Sequence, residues 1–313
     1  MDKQPLHITN GTILTSLINQ LGIKGEKLTW QEMLCEGPTS ELLESEEFSD
    51  LRISFFNEFY DVDLDIEMIK NELNKLNSSE NYSEIILWFE YDLFCHINMV
   101  AVISLIQQKK IELPIYLVCS GRVAGSKNLK ALSELSSAQL MNHYINRVLL
   151  DNEAIDLATT IWGIYCGIDH NLLKPFIIKP SVFEYLSNCL KAHLKRFPDS
   201  VSGLNILEKN ILEIINKQTI TSKNHLLGYA LNYQGFYGYG DLQLSRIIDQ
   251  LSVFYTVNND RVLLNRKGHE ALIGQHNFAS EIANNMSFGG VKKIDFQFNI
   301  SENKLVKSTL NAH

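Results

Sequence analysis

The sequence predicts an α/β protein: an N-terminal parallel-sheet, Rossmann-like domain, a helical segment, and a C-terminal winged-helix-like unit. Three observations predict it. Short apolar, β-branched runs alternate with helix-period segments as far as about residue 121, the pattern of parallel strands joined by right-handed helical crossovers. From about residue 128 to 197 the periodicity is helical only. From residue 203 to 273 three helices precede two short strands, the order of a winged helix.

Leu6–Thr9 reads as the first strand, broken at Asn10-Gly11, and Ile13, Leu14, Leu17, Ile18 and Leu21 then recur at helical spacing. Lys27–Gln31 is a second strand, followed by the loop Leu34-Cys35-Glu36-Gly37-Pro38 and two acid-rich helices reaching about Leu76. Glu84–Phe89 is the third strand, Asp92 opens a helix to about Gln108, and Pro114–Cys119 is the fourth strand. Asp151 caps a helix running through Ile164, and Ser181 with Glu184 forms a capping box ahead of the helix carrying His193 and Arg196. Gly203–Lys217, Ser222–Tyr233 and Asp241–Leu251 are the three helices of the third unit, the last with Leu242, Leu244, Ile247, Ile248 and Leu251 inward. Phe254–Val257 and Arg261–Asn265 form a ribbon around Asn258-Asn259-Asp260, a short helix ends near Ile273, and 295–306 forms a terminal hairpin. The expected units are 1–125 (α/β, ligand-binding), 126–200 (helical), 201–275 (winged-helix-like) and 276–313 (tail).

Composition narrows the function classes. The 313 residues are 45% hydrophobic and 20% charged, which excludes disordered, collagen-like and coiled-coil chains. The net charge of −8 disfavours non-specific binding to nucleic acid or anionic membranes. From residue 201 on there are 11 Lys/Arg against 9 Asp/Glu, and before it 17 against 27, a shift that supports a boundary near 199–203. Five widely spaced cysteines without a C-x-x-C pair argue against a disulfide framework or a structural zinc site. With no signal-peptide profile and no apolar run long enough to span a bilayer, the expectation is a cytoplasmic protein.

In a parallel sheet, ligands bind beyond the carboxyl ends of the strands. The unusual residues collect there: Asn10, Gly11 and Thr12 after strand one, Glu36 and Gly37 after strand two, Glu90-Tyr91-Asp92 after strand three, Ser120 and Gly121 after strand four. His7 lies within the first strand, and His96 shares a helix face with Asp92. His7, Glu90, Asp92 and His96 are the expected acid/base or metal-ligating set, and Asn10–Thr12, Glu36, Gly37, Ser120 and Gly121 the expected ligand-binding set. Each has a plainer reading beside it. Asn10 or Thr12 caps a helix instead of presenting N–H groups to an anion; Asp92 is an N-cap and His96 a half-buried first-turn residue; Glu36 is surface; Arg52 is a solvated ion pair. His193 and Arg196 are read as packing between the helical segment and the third unit. No dinucleotide glycine fingerprint, P-loop or nucleophile elbow is present, and no metal or cofactor is named by any motif.

The third unit makes a poor DNA reader. Its third helix carries Arg246 as its only base beside Asp241 and Asp249, so the aromatic turn Tyr233–Tyr239 reads as an interface or lid.

Leu6-His7-Ile8-Thr9-Asn10-Gly11, the Leu34–Pro38 loop, Trp88-Phe89-Glu90-Tyr91-Asp92-Leu93-Phe94-Cys95 and His193-Leu194-Lys195-Arg196-Phe197-Pro198 with Gly203-Leu204-Asn205 resemble an uncharacterised bacterial family, domain of unknown function number eighteen-thirty-five. The resemblance spans roughly residues 5–120, and more loosely the helical and winged segments beyond them. It implies that the His7 strand, the Glu-Gly-Pro loop and the Glu90–Asp92 segment belong to one module, and it lends no mechanism.

Two functions of different class stand. One is an enzyme-like domain, hydrolase or transferase, binding a small anionic or nucleotide-type ligand at the strand ends. The other is a ligand-sensing regulator or adaptor whose winged-helix-like unit contacts a protein partner or, less favoured, DNA; a basic stripe over Arg246, Arg261, Arg266 and Lys267 would favour nucleic acid. In a third, blander reading the polar cluster only fixes the fold.

Overall fold

The computed structural model describes residues 3–258 and 260–308. Residues 1–2, Asn259 in the predicted ribbon turn, and the last five residues of the predicted tail lie outside the described residues. The protein is a mixed α/β fold with twelve α-helices among the described residues, built on a five-stranded, mostly parallel sheet.

The sheet comprises β1 (Gln4–Asn10), β2 (Glu26–Trp30), β4 (Tyr82–Phe89), β5 (Ile115–Cys119) and β6 (Val148–Leu149), in the order β2-β1-β4-β5-β6. The first four run parallel, in the places the apolar runs predict, with ends displaced by at most two residues. β6 pairs antiparallel with β5 at Tyr116 and Leu117, so the layer is not all-parallel as expected. Its two residues are exposed, and a two-residue edge strand leaves no periodicity to read.

Strand alternation sorts the side chains. Leu6, Ile8, Leu28, Ile85, Leu87 and Phe89 face α4 (Leu93–Gln108), which is apolar on nearly every side and lies at the centre of the core. Ile86, Trp88 and Val118 face α1 (Thr12–Gln20) through Leu14 and Ile18. After β2 the chain passes through β3 (Gly37–Pro38), α2 (Glu46–Tyr60) and α3 (Ile66–Leu73) before β4.

Beyond β5 come α5 (Ser137–Ile145), α6 (Asn152–Cys166), α7 (Lys174–Ile178) and α8 (Leu186–Lys195). Asp151 caps α6 by accepting from Ala154 N at 2.8 Å. The Ser181/Glu184 capping box does not form: Ser181 Oγ donates to the Phe183 carbonyl, and α8 starts at Leu186 without a side-chain cap.

α9 (Ile206–Lys217) begins three residues later than predicted. Asn205 and Glu208 make the reciprocal cap there, at 2.7 and 2.8 Å, while Gly203 takes a left-handed turn at φ 76°. α10 (Lys223–Tyr233), α11 (Asp241–Gln250), the antiparallel pair β7 (Tyr255–Asn258) and β8 (Arg261–Leu264), and α12 (Arg266–Leu272) follow. Leu244, Ile247 and Ile248 form the inward face of α11, whereas Leu242, expected inward, is 62% exposed.

The C-terminal stretch adds β9 (Ser287–Gly289) and β10 (Val291–Lys292), then the antiparallel hairpin β11 (Phe296–Asn299) and β12 (Lys304–Lys307). β9 pairs parallel with β3, stitching the end of the chain to the loop after β2, and one continuous core runs from Leu6 to Leu305. No helix among the described residues is long and apolar enough to cross a membrane.

Candidate functional site

The order of the sheet reverses between β1 and β4, so Asn10 and Glu90-Tyr91-Asp92 flank the switch point, the place where such sheets hold ligands. Asp92 is the N-cap of α4, accepting from Cys95 N at 2.8 Å. That cap turns the first helical turn inward and brings Cys95 beside it. The ligating atoms of Glu90, Asp92 and Cys95 all lie within 4.8 Å of one another.

Glu90 Oε1 also accepts from Ser133 N and Oγ, at 3.2 and 3.4 Å. Asn10 Nδ2 donates to Cys95 Sγ at 3.1 Å, and Asn98 Nδ2 to Asn10 Oδ1 at 2.9 Å, so the strand-one turn is tied to the cluster. Burial raises the Asp92 carboxyl to about 7, and the charge of Glu90 adds to it. Burial also raises Glu90, and it lifts the Cys95 thiol well above its usual range, with Asp92 contributing. Two carboxylates and a thiol held this close cannot all ionise unless a cation joins them.

Two of the four expected acid/base residues stand apart. Period two places His7 on the opposite face from Leu6 and Ile8, beside Trp88 and Tyr144 of α5. Its Nδ1 accepts from Trp88 Nε1 at 3.1 Å and its Nε2–H donates to the Lys24 carbonyl at 2.9 Å. Both ring nitrogens are used, and burial holds the ring neutral, at about 4. His96 is buried too, lowered to about 4 by the same cause. Its Nδ1–H donates to the Asp92 carbonyl at 3.0 Å, so the expected carboxylate–imidazole pair does not form.

Gly11 is the N-cap of α1 at φ 93°, a conformation that favours glycine, and no side chain caps that helix. Neither Thr12, which is exposed, nor Asn10, which turns to Cys95 and Asn98, serves as a cap. Ser120 Oγ is buried without a partner, and Gly121 lies so close under Tyr185 that a Cβ would overlap the hydroxyl. The Tyr185 ring in turn meets Tyr91, centroids 5.9 Å apart, over the rim.

Glu36 and Gly37 do not line a cleft; they are buried in the interior. The 33–38 loop crosses the core with few backbone partners, and side chains from three helices satisfy its carbonyls. Arg52 of α2 donates to Met33 O, Glu36 O and Pro38 O, at 3.0, 2.7 and 3.3 Å. Tyr165 of α6 donates to Leu34 O at 2.9 Å, and Arg196 at the end of α8 donates to Cys35 O. The Glu36 carboxylate pairs with Arg246 at 2.7 Å and accepts from the Tyr60 hydroxyl. Arg52, expected in solvent, is 1% exposed and paired with Glu32 at 3.1 Å.

The aromatic turn after α10 closes over the rim. Leu93 N and Phe94 N, the first free donors of α4, donate to the carbonyls of Phe236 and Tyr237 at 2.7 and 3.2 Å. Gly238, at φ 68°, packs so tightly that a Cβ there would overlap the Asp92 carboxylate. Gly238→Ala is therefore expected to cost about 3 kcal/mol, from overpacking plus left-handed strain. Gly235→Ala, at φ 71° with open space around it, is expected to carry only the backbone part. Thermal melts of the two variants compare them directly, and equal losses would remove the contact with Asp92 from the account.

A second buried polar network had no sequence signal beyond the i, i+3 spacing of His193 and Arg196. Arg196 has no acceptor, so its Nε–H, at 3.0 Å, fixes His193 Nδ1 as the acceptor. His193 Nε2–H then donates to His170 Nδ1 at 2.8 Å, and His170 Nε2–H to the Tyr165 carbonyl at 2.9 Å. Both imidazoles must be neutral for the chain to hold.

The class that fold and site define is a mixed α/β protein with a parallel-dominated sheet and an ionisable cluster at its topological switch point. No family model matches the chain, and no curated protein does. A solved structure titled "Crystal structure of Plasmodium falciparum topoisomerase II DNA-binding, cleavage and re-ligation domain" is similar at 12% identity and a TM-score of 0.43. The match covers 82% of this chain and 43% of that one, so the chain spans less than half of that structure. A likeness this weak carries no argument about activity.

Proposed function

We propose that the chain is a Rossmann-like α/β enzyme that binds a small anionic or nucleotide-type ligand at the carboxyl ends of its strands. Glu90, Asp92 and Cys95 hold a divalent cation there for acid/base or metal-assisted chemistry. The observation that carries the reading is the triad itself, three ligating atoms within 4.8 Å at the point where the strand order reverses. The donor set of two carboxylates and a thiolate suits zinc. Bound zinc supplies a Lewis acid. Glu90 and Asp92 hold the ion, and the side-chain-uncapped N-terminus of α1 faces the ligand's anionic group. His7 and His96 take no part in it.

The test is zinc titration of the dialysed protein, with metal content measured by mass spectrometry. The expected result is one zinc per chain, lost in Asp92→Asn/Cys95→Ser, a pair that keeps both the N-cap and the side-chain volumes. Titrations of inorganic phosphate and ADP should give heat only in the presence of zinc. Equal zinc binding by wild type and double variant would sink the proposal.

The regulator or adaptor reading rests on the C-terminal unit, whose helix–helix–helix–ribbon order is winged-helix-like. What favours a protein partner over nucleic acid is Arg246: the only base on α11 is spent on Glu36. Exposed Leu242, Val257 and Leu263 supply an apolar surface on the same unit. Membership of the family of unknown function number eighteen-thirty-five, the division near residues 125, 200 and 275, and residence in the cytoplasm belong to the same proposal. Five free thiols support a reducing compartment.

A further inference from the structure

We propose that a small cavity between the 33–38 loop, the end of α8, the start of α9 and α11 is a binding site for one monatomic anion of the size and charge of chloride. The inference is independent of the cation site, since none of Glu90, Asp92 and Cys95 lines this cavity. Its volume is about 10 Å³, room for a single water-sized particle, so sulfate, phosphate and carboxylates are too large.

The lining carries an unbalanced charge. Arg196, Arg246 and Lys293 face Glu36 and Glu208 around the cavity, and all of them except Arg246 are buried. Arg246 pairs with Glu36 at 2.7 Å, and Lys293 with Glu208 at 2.6 Å. Arg196 has no carboxylate. Its N–H groups go to the Cys35 carbonyl, the Tyr165 and Tyr239 hydroxyls and His193 Nδ1, all of them neutral. Neutral acceptors satisfy the donors and leave the formal charge standing. Three cations against two carboxylates leave one positive charge in the interior, where a counter-charge is worth most.

The hydrogen bonds are unbalanced in the same sense. Every carboxylate oxygen already has a donor: Arg246 and the Tyr60 hydroxyl on Glu36, Lys293 and Asn205 N on Glu208. Donors are left over. Lys293 Nζ spends one of its three protons, and the Tyr239 hydroxyl accepts from Arg196 but finds no acceptor for its own proton. Asn205 is 5% exposed; its Oδ1 caps α9, while Nδ2 has no acceptor among the described residues and keeps accessible surface. The one side-chain oxygen free to accept is Gln250 Oε1. A water molecule would need acceptors for two protons here. An anion needs none, and it takes up the surplus donors and the surplus charge together.

The test melts the dialysed full chain at fixed ionic strength as sodium chloride replaces sodium gluconate. The expected result is a saturating rise in Tm of about 2–4 °C, reproduced by bromide and not by sulfate. Crystals grown in bromide should show one anomalous peak touching Lys293 Nζ, Asn205 Nδ2 and Tyr239 Oη. Asn205→Asp keeps the capping oxygen and puts a carboxylate beside the cavity. It should melt in gluconate at least as high as wild type and lose the response to chloride. Tyr239→Phe removes one donor and should raise the chloride concentration at half-effect roughly tenfold. The proposal is overturned if halides give no saturating shift or if the bromide crystals hold only water in the cavity. A full chloride response in Asn205→Asp, or a wild-type midpoint in Tyr239→Phe, overturns it too.

Discussion

Arg196→Leu is expected to cost about 3–5 kcal/mol of folding stability, the range for breaking a buried charged network from one side. Arg196 is 1% exposed, and among the described residues no carboxylate pairs with it. Its charge is balanced by the Cys35 carbonyl, the hydroxyls of Tyr165 and Tyr239, His193 Nδ1, and the Phe288 ring 3.8 Å beneath the guanidinium. Leucine fills much of the volume but leaves that carbonyl and that imidazole nitrogen without a donor. Arg196→Lys keeps the charge on a single nitrogen, cannot reproduce the fork, and is expected to recover little. Urea titrations at unchanged m-value measure the loss, and a shift under about 1 kcal/mol in the leucine variant would contradict the role given to this side chain.

Acid is expected to unfold the protein well before ordinary carboxylate pairs are protonated. His7, His96 and His170 are each lowered to about 4 by burial. His193 is lowered well below its usual value by burial and then by Arg196. In the unfolded chain these rings titrate near 6.5, so between pH 6.5 and 4 the unfolded state binds more protons and stability falls as pH falls. Each ring displaced to about 4 contributes on the order of 3 kcal/mol across that window. Asp92, raised to about 7, works in the opposite sense and offsets roughly one ring.

Around the pair formed by His170 and His193, Arg196 opposes protonation, whereas Asp169 and the Tyr165 carbonyl favour it at His170; burial outweighs them. The net loss rivals the whole stability of a typical domain. Denaturant-derived stability at pH 7, 6, 5 and 4.5 should decline steeply, and His170→Gln should flatten the slope. Constant stability from pH 7 to 5 would contradict the neutral, buried histidines.

The four parallel strands were legible because β4 and β5 hold continuous apolar runs, while β1 and β2 set Leu6, Ile8, Leu28 and Trp30 at alternate positions between turn residues. β3, β6, β9 and β10 were not, since two or three residues carry no period, and β3, β6 and β9 owe their pairing to distant partners. Within the rim, Asp92 was readable as a strand-end N-cap, and Cys95 follows from the i, i+3 geometry of that cap. The position of His7 was also implicit: alternation with Leu6 and Ile8 puts it on the other face, away from the cluster. The burial of Arg52 and Glu36 was beyond local reading, because it depends on loop carbonyls and on Arg246, 210 residues from Glu36.

The loop through the core also has a consequence for how the polypeptide is made. Cys35 and Glu36 leave the ribosome 161 and 210 residues ahead of Arg196 and Arg246, the side chains that complete their bonding. Until those arrive, the Cys35 carbonyl and the Glu36 carboxylate lack their arginine partners, while Arg52 and later Tyr165 serve the neighbouring carbonyls. The centre of the molecule therefore closes late, after its outer layers are translated. A fragment ending near residue 125 would emerge with its middle unfinished, and would be a client for chaperones instead of a working half.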